Sequence, residues 1–133
     1  MTDIFNNFDK RDFGRLGRSN ALSSNAMLAS SHPVASSVGI EILKNGGNSV
    51  DAAIAMNAVL CIAEPHMTGV GGDCFVMLSV DGSTNIKALN GSGKSASNAK
   101  ASNLREKQLS VNTPEMPDAI TIPGAVAAWS LLH

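Results

Sequence analysis

The sequence predicts a mixed α/β (α+β) fold, and three patterns support this prediction. Two consecutive helical patterns lie between Pro33 and Ala63. Two strand patterns joined by a turn lie between Cys74 and Asn90, and an apolar helical pattern runs from Ala125 to Leu132. With 133 residues, 44% of them hydrophobic, the chain is long enough for one domain with a core or for a piece of a larger one.

The first 24 residues are predicted to form a polar lead-in. Residues 1–20 mix charged residues with Asn and contain no apolar stretch as long as a signal peptide or a membrane span. We therefore expect a cytoplasmic protein without a membrane partner, and a domain that occupies residues 25–133. Its first element is predicted as a buried strand from Asn25 to Ser31, because residues 26–29 form a short apolar run.

The first helix is predicted to begin at Pro33, whose fixed φ suits the first helical position. Apolar residues recur on one face as far as Leu43, and Lys44 complements the helix dipole in the last turn. Gly46 and Gly47 follow directly, which predicts a left-handed end to the helix.

The second helix is predicted to begin at once, with Asn48 or Ser49 as its N-cap and Asp51 in its first turn. Residues 52–63 are apolar on almost every side, which is typical of a helix in the interior of a large core. We therefore expect this helix to be buried, although a chain of 133 residues offers little to bury it.

A loop containing Gly69, Gly71 and Gly72 separates the second helix from the first strand. A dinucleotide-binding turn follows a strand and opens a helix, whereas this loop follows a helix and opens a strand. We interpret its glycines as positions of backbone clearance or positive φ. Glu64 and Asp73, which flank the loop, are interpreted as residues that order it.

The second half of the chain begins with a hairpin, because Asp81-Gly82 predicts a tight turn between strands at residues 74–80 and 85–90. The polar stretch from Ser95 to Glu115 is predicted as a loop with one short helix near residues 102–108. The helix predicted at residues 125–132 is cut off as it starts, so we expect the sequence to be truncated there.

The segment Gly91-Ser92-Gly93-Lys94-Ser95 has the ending of a phosphate-binding loop. Such a loop also needs a glycine five residues before Gly93, where this sequence has Ala88. The residues that follow lack the apolar stripe of a docking helix. A nucleotide site is therefore disfavoured, and this loop needs another explanation.

Composition excludes further classes of partner. A net charge of −1 and an aromatic content of 4% argue against nucleic acid.

Cys61 and Cys74 lack metal-site spacing and are predicted to be free, buried thiols. His32 and His66 stand beside prolines without a second ligand at zinc spacing, so we expect them to bond to nearby backbone groups.

A series of ordered motifs resembles the start of the gamma-glutamyltranspeptidase family. The motifs are ASSHPVASSVGIEILKNGGNSVDAAIAMNAVLCIAEPHMTGVGGDCFVML, then LNGSGK, then TIPGAVAAW, and they lie within residues 25–129. The resemblance implies an incomplete N-terminal piece of the large subunit of an N-terminal-nucleophile hydrolase. The fold that it implies is a four-layer αββα sandwich.

The resemblance also implies a reaction. Such precursors cleave themselves into two subunits, and the new N-terminal Thr of the small subunit attacks a gamma-glutamyl amide such as glutathione, with its own α-amine as base. The acyl group then passes to water or to an amine, and no cofactor or metal is needed. That Thr lies beyond this chain, so we assign no catalytic residue here and expect the chain alone to be inactive. Its expected partner is the missing C-terminal part of its own precursor.

Three residues are candidates for substrate binding on the strength of this resemblance: Asn90, Ser92 and Lys94. In the family a basic residue after this strand, commonly Arg, binds the substrate's α-carboxylate. One alignment puts Ser92 at that position, and the alignment that we favour puts Lys94 there. The Lys ammonium is a point charge, whereas the Arg guanidinium is planar and can donate two parallel hydrogen bonds. The alternative is that Lys94 is solvated and binds no ligand.

These observations leave three functional hypotheses. The first is a hydrolase or transferase that acts on gamma-glutamyl amides. The second is a family member that acts as an amidase on another small acidic amide, which the Lys in place of Arg would favour. The third is a catalytically inert α/β binding module.

Overall fold

The computed structural model describes residues 20–106 and 117–133. Most of the predicted polar lead-in therefore lies outside the described residues. The described elements combine helices with a small antiparallel sheet, and the predicted mixed α and β class is confirmed. In chain order they are α1 (Pro33–Lys44), α2 (Ser49–Ala63), β1 (Phe75–Ser79), β2 (Ile86–Asn90), α3 (Ala101–Glu106), a 3-10 turn (Pro117–Ala119) and α4 (Ala125–Leu132).

Helix α1 begins and ends as its sequence predicts. The Nδ1 atom of His32 accepts a hydrogen bond of 3.2 Å from the amide of Val34 and so caps the helix. This confirms the structural role expected of His32. At the other end Gly46 has a φ of 90°, and the amide of Gly47 donates to the carbonyl of Ile42 at 2.9 Å.

Helix α2 begins with a reciprocal capping box, and its cap is Asn48. The Oδ1 atom of Asn48 accepts from the amides of Val50 and Asp51 at 2.7 and 3.1 Å. The carboxylate of Asp51 accepts from the amide of Asn48 at 2.9 Å. Asp51 is thus a helix-start residue, as predicted.

The described residues bury helix α2 only in part, so its burial in a larger core stays a prediction. Helix α1 covers one side of α2, where Gly39 lies so close that a Cβ there would overlap the side chain of Met56. Other sides stay open, and Ile62 is 84% exposed. The residues that are buried and hydrophobic within the described ranges are all small: Ala35, Ala52, Ala125 and Ala128.

Strands β1 and β2 pair antiparallel, with Met77 opposite Ala88. Within the six-residue loop between the strands, Asp81 and Gly82 are the central residues of a tight turn closed by a 3.0 Å bond from the amide of Ser83 to the carbonyl of Val80, and both have positive φ, 53° and 66°. Each strand is slightly shorter than its predicted range. Residues 75–78 of β1 line a cavity of about 400 Å³ together with residues of α2 and α4.

The strand predicted at residues 25–31 is absent, and the helix predicted near residues 102–108 is described only in part. Residues 25–31 form no strand, and Met27 is 62% exposed. A strand needs a hydrogen-bonded neighbour, and within the described ranges only β1 and β2 form a sheet. The short helix predicted near residues 102–108 is present as α3, although its last two predicted residues lie outside the described ranges.

Helix α4 is present as predicted. The helices of the described ranges are all too short or too polar to cross a bilayer.

Candidate functional site

Three segments of the chain converge at one end of the hairpin. They are the segment before β1 (residues 72–74), the segment before α4 (residues 121–124), and residues 90–94, which we call the lysine loop. The lysine loop continues from β2, because Gly91 and Cys74 exchange backbone hydrogen bonds of 2.7 and 3.3 Å. The loop is therefore anchored to the hairpin at its first residues.

The first half of the lysine loop is a side-chain turn. The Oδ1 atom of Asn90 accepts from the amide of Ser92 at 3.0 Å and from its hydroxyl at 2.7 Å. This is the local turn that Asn favours after a strand. The structure thus brings Asn90 and Ser92 together, and it uses the amide oxygen of Asn90 to shape the loop.

The second half of the lysine loop is held from both sides by backbone and carboxylate contacts. The Oδ1 atom of Asp73 accepts from the amide of Gly93 at 3.2 Å and from the Oγ1 atom of Thr121 at 3.0 Å. The carbonyl of Lys94 accepts from the amide of Ile122 at 2.9 Å. The Ser92–Gly93 peptide and the peptide that follows Lys94 therefore each have a hydrogen-bond partner outside the loop.

Close backbone packing explains the glycines of this region. A Cβ at Gly93 would overlap the carbonyl oxygen of Ile122, and a Cβ at Gly124 would overlap the carbonyl oxygen of Gly91. At Gly91 a Cβ would lie 2.7 Å from the carbonyl oxygen of Cys74. Because each obstacle includes backbone that cannot rotate away, only glycine fits at these positions.

The prediction for the earlier glycines is wrong in part. At Gly69 and Gly71 an added Cβ would meet nothing within 4 Å, and neither has a positive φ. At Gly72 the nearest atom is the Gly69 oxygen at 3.3 Å. Gly72 instead contributes its carbonyl oxygen, which accepts from the amides of Gly124 and Ala125 at 3.0 Å each and so satisfies two donors at the start of α4.

Lys94 lies at the rim of a shallow depression of about 290 Å³, and its side chain is exposed. Within the described ranges, no carboxylate lies within 4.0 Å of its Nζ atom. An exposed ammonium beside an apolar floor can bind a small carboxylate while it stays hydrated on its other side. The depression is lined by the lysine loop, by Ile122, Pro123 and Gly124, and by Ala127, Ala128 and Leu131 of α4.

The geometry also argues against a phosphate-binding loop. Such a loop presents consecutive amides to the phosphates and leads into a helix. Here the amides of Ser92 and Gly93 already donate to Asn90 and Asp73. No helix follows directly, because α3 begins only at Ala101.

The flanking residues of the Gly-rich loop have different roles from one another. The carbonyl of Glu64 accepts from the amides of Met67 and Thr68 at 2.9 and 3.0 Å, so this residue orders the start of the loop as predicted. Its carboxylate accepts from the hydroxyl of Ser31 at 2.7 Å. Asp73 instead bonds away from that loop, to Gly93 and Thr121, which corrects the prediction.

The remaining titratable candidates form no site within the described ranges. Cys61 and Cys74 are free, as predicted, but they are only half-buried. His66 is exposed and its ring makes no hydrogen bond to the described residues, which is contrary to expectation. Across residues 20–106 and 117–133, no three side chains of the metal-binding types cluster together.

Asp73 and Thr121 are the residues that sequence reasoning missed at this site. They bond to each other across 48 positions in the sequence, and Asp73 bonds to Gly93 across 20. Neither residue stands in a local motif. No signal within a single sequence joins contacts at these separations.

Comparison with known proteins agrees with this architecture. The family model for gamma-glutamyltranspeptidase matches residues 35–133. The glutathione hydrolase-like YwrD proenzyme of Bacillus subtilis is 38% identical over 108 residues, which cover 81% of this chain and 20% of that protein. The oxamate amidohydrolase proenzyme of Klebsiella pneumoniae is 30% identical over 112 residues, which cover 84% and 21%.

A solved structure gives the same result. The gamma-glutamyltranspeptidase of Helicobacter pylori matches with a TM-score of 0.73 and 28% identity, over 86% of this chain and 33% of that one. The fold is therefore that of the N-terminal-nucleophile hydrolases. More narrowly, the chain belongs to the gamma-glutamyltranspeptidase family. It spans about a fifth of the length of the curated relatives named above.

Proposed function

We propose that this chain is part of a hydrolase or acyltransferase that acts on gamma-glutamyl amides such as glutathione, and that Lys94 binds the carboxylate of the substrate. One observation carries this proposal: the loop backbone is hydrogen-bonded at the amide of Gly93 and at the carbonyl of Lys94, which holds the Cα of Lys94 beside a depression that its side chain lines. The nucleophile is the N-terminal Thr expected in the remainder of the precursor, which attacks the amide with its own amine as base.

A fixed loop suits this role because binding then costs less conformational entropy. Lys94 supplies the charge, and the ammonium donates a charge-assisted hydrogen bond to the carboxylate. Ser92 donates its hydroxyl proton to Asn90, which leaves the Ser92 oxygen as an acceptor for a donor on the substrate. Asn90 acts by shaping the turn.

A second candidate substrate class is another small acidic amide. Lys94 offers a single point charge, whereas the Arg common in the family offers two parallel donors. A site with one cationic point is less selective for the geometry of a glutamyl carboxylate. Similarity to a relative named as an oxamate amidohydrolase supports this alternative.

The proposed partner of this chain is the C-terminal part of its own precursor, and several relatives are named as proenzymes. Exposed apolar surface supports this proposal. Phe75 and Met77 on β1 are 68% and 79% exposed, and α2 is apolar on faces that the described residues leave uncovered. An apolar patch of this kind is typical of a surface that another segment covers. A cytoplasmic location stays a prediction from the lead-in sequence.

Lys94→Ala in the full-length, processed protein tests the substrate site. We expect KM for the preferred acidic amide to rise about tenfold or more, because a hydrogen bond between charged groups contributes about 1.5–3 kcal/mol. Glutathione and oxamate are compared as substrates, and Lys94→Arg is expected to shift preference toward glutathione. Lys87→Ala is the matched control, since Lys87 is an exposed lysine on β2 outside the depression. An unchanged KM in Lys94→Ala would remove this residue from the site.

Residues 1–133 expressed alone test the assignment of the nucleophile. We expect no hydrolysis of a gamma-glutamyl anilide above the blank, because the attacking Thr is assigned to another segment. The full-length protein is the positive control in the same assay. A rate clearly above the blank for the isolated chain would show that the nucleophile lies within these residues.

A further inference from the structure

We propose that Asp73 is a positioning residue for substrate binding, and that it acts through the lysine loop with the help of Thr121. This inference rests on the proposed role of Lys94. Asp73 does not touch the substrate in this scheme. Asp73 instead fixes the backbone of the lysine loop, and Lys94 of that loop binds the substrate.

The contacts of one carboxylate oxygen carry the proposal. The Oδ1 atom of Asp73 accepts from the amide of Gly93, the residue directly before Lys94, at 3.2 Å. The same atom accepts from the hydroxyl of Thr121 at 3.0 Å. Thr121 directly precedes Ile122, whose amide holds the carbonyl of Lys94 at 2.9 Å. The Oδ1 atom of Asp73 therefore connects the lysine loop to the segment before α4, which also binds the carbonyl of Lys94.

The position of Asp73 suits this role. It immediately precedes Cys74, which the hairpin ladder holds through Gly91. The base of the carboxylate is thus on the rigid part of the structure, and its oxygen reaches the loop. Both of its bonds are of the charge-assisted kind, which are about twice as strong as neutral ones.

A purely structural role fits the observations less well. Asp73 is exposed, and its carboxylate bonds to no residue of the Gly-rich loop that precedes it. The hairpin ladder and the bond between Ile122 and Lys94 do not require the Asp73 side chain. Loss of the carboxylate is therefore expected to loosen the lysine loop and to leave the hairpin in place.

The test uses the full-length, processed protein and measures KM and kcat separately. We expect Asp73→Ala to raise KM for the preferred acidic amide about fivefold, with kcat within about twofold of the parent. Asp73→Asn keeps an acceptor oxygen, so its KM is expected to lie between that of the parent and that of Asp73→Ala. Thr121→Val is expected to raise KM about twofold to threefold, whereas Thr121→Ser keeps the hydroxyl and restores the parent value.

A double-mutant cycle with Lys94→Ala shows whether Asp73 acts through Lys94. In the Lys94→Ala background, Asp73→Ala is expected to change KM by less than about twofold. The same fivefold rise in both backgrounds would overturn the proposal, as would an unchanged KM in Asp73→Ala or a lowered melting temperature without any change of KM. If Asp73→Ala fails to mature, Asp73→Asn and Thr121→Val carry the test with the same criteria.

The outcomes separate this inference from the proposed function. If Lys94→Ala leaves KM unchanged, the proposed function of Lys94 fails, and the inference fails with it. If Lys94→Ala raises KM but the Asp73 and Thr121 variants do not, Lys94 keeps its role and only the positioning role of Asp73 is lost.

Discussion

Two loops of this chain are rich in glycine, and they use glycine differently. In the loop before β1, an added Cβ at Gly71 would meet nothing within 4 Å. In the lysine loop after β2, an added Cβ at Gly93 would overlap the backbone oxygen of Ile122. The sequence singles out the first loop for its glycine density and the second for its likeness to a phosphate-binding loop. The structure shows that the second loop is the one where glycine is a steric requirement.

The largest effect that this comparison predicts is at Gly93. In Gly93→Ala of the full-length protein, the methyl group must displace either the lysine loop or the segment at Ile122. We expect a loss of about 3 kcal/mol in the free energy of unfolding, measured as a lower denaturant midpoint. We also expect KM for the acidic amide to rise, because displacement of the loop moves Lys94. A variant with the parent midpoint and KM would contradict the close packing of these two segments.

The smallest effect is predicted at Gly71. Gly71→Ala adds the same methyl group to a loop where it meets open space. We expect the free energy of unfolding to change by no more than about 0.5 kcal/mol, with KM unchanged. The same denaturant midpoint and KM measurements apply, so Gly71→Ala is the matched control for Gly93→Ala. A loss as large as that of Gly93→Ala would mean that the rest of the protein covers the first loop, and the contrast between the loops would then not hold.

Much of the fold could be predicted from the sequence because its signals are local. Pro33 and the Asn48 to Asp51 capping box mark the starts of α1 and α2, and Asp81-Gly82 marks the hairpin turn. Each of these signals acts within four residues, so a single sequence contains the whole cause. The strand predicted at residues 25–31 failed for the opposite reason, because a strand depends on a neighbour elsewhere in the chain.

From the sequence, only the charged residue of the candidate site and its immediate neighbours could be predicted. A cation in a Gly/Ser loop and its likeness to a family motif point to Lys94, and Asn90 and Ser92 follow as its neighbours. Nothing local indicates that Asp73 faces this loop, because its partners are 20 and 48 residues away. The cover of α2 could not be predicted for a similar reason. Hydrophobicity shows that a helix needs cover, and it does not show which segment provides it.

The contacts of the lysine loop also determine the order in which this region can form during protein synthesis. The hairpin needs only residues 74–91, and its ladder can close as soon as β2 leaves the ribosome. The carbonyl of Lys94 must wait for the amide of Ile122, which is synthesised 28 residues later. At about 5–20 residues per second, this delay lasts on the order of seconds. During synthesis the strands can therefore form before the lysine loop acquires its contacts, and the carbonyl of Lys94 is bound only when the segment before α4 arrives.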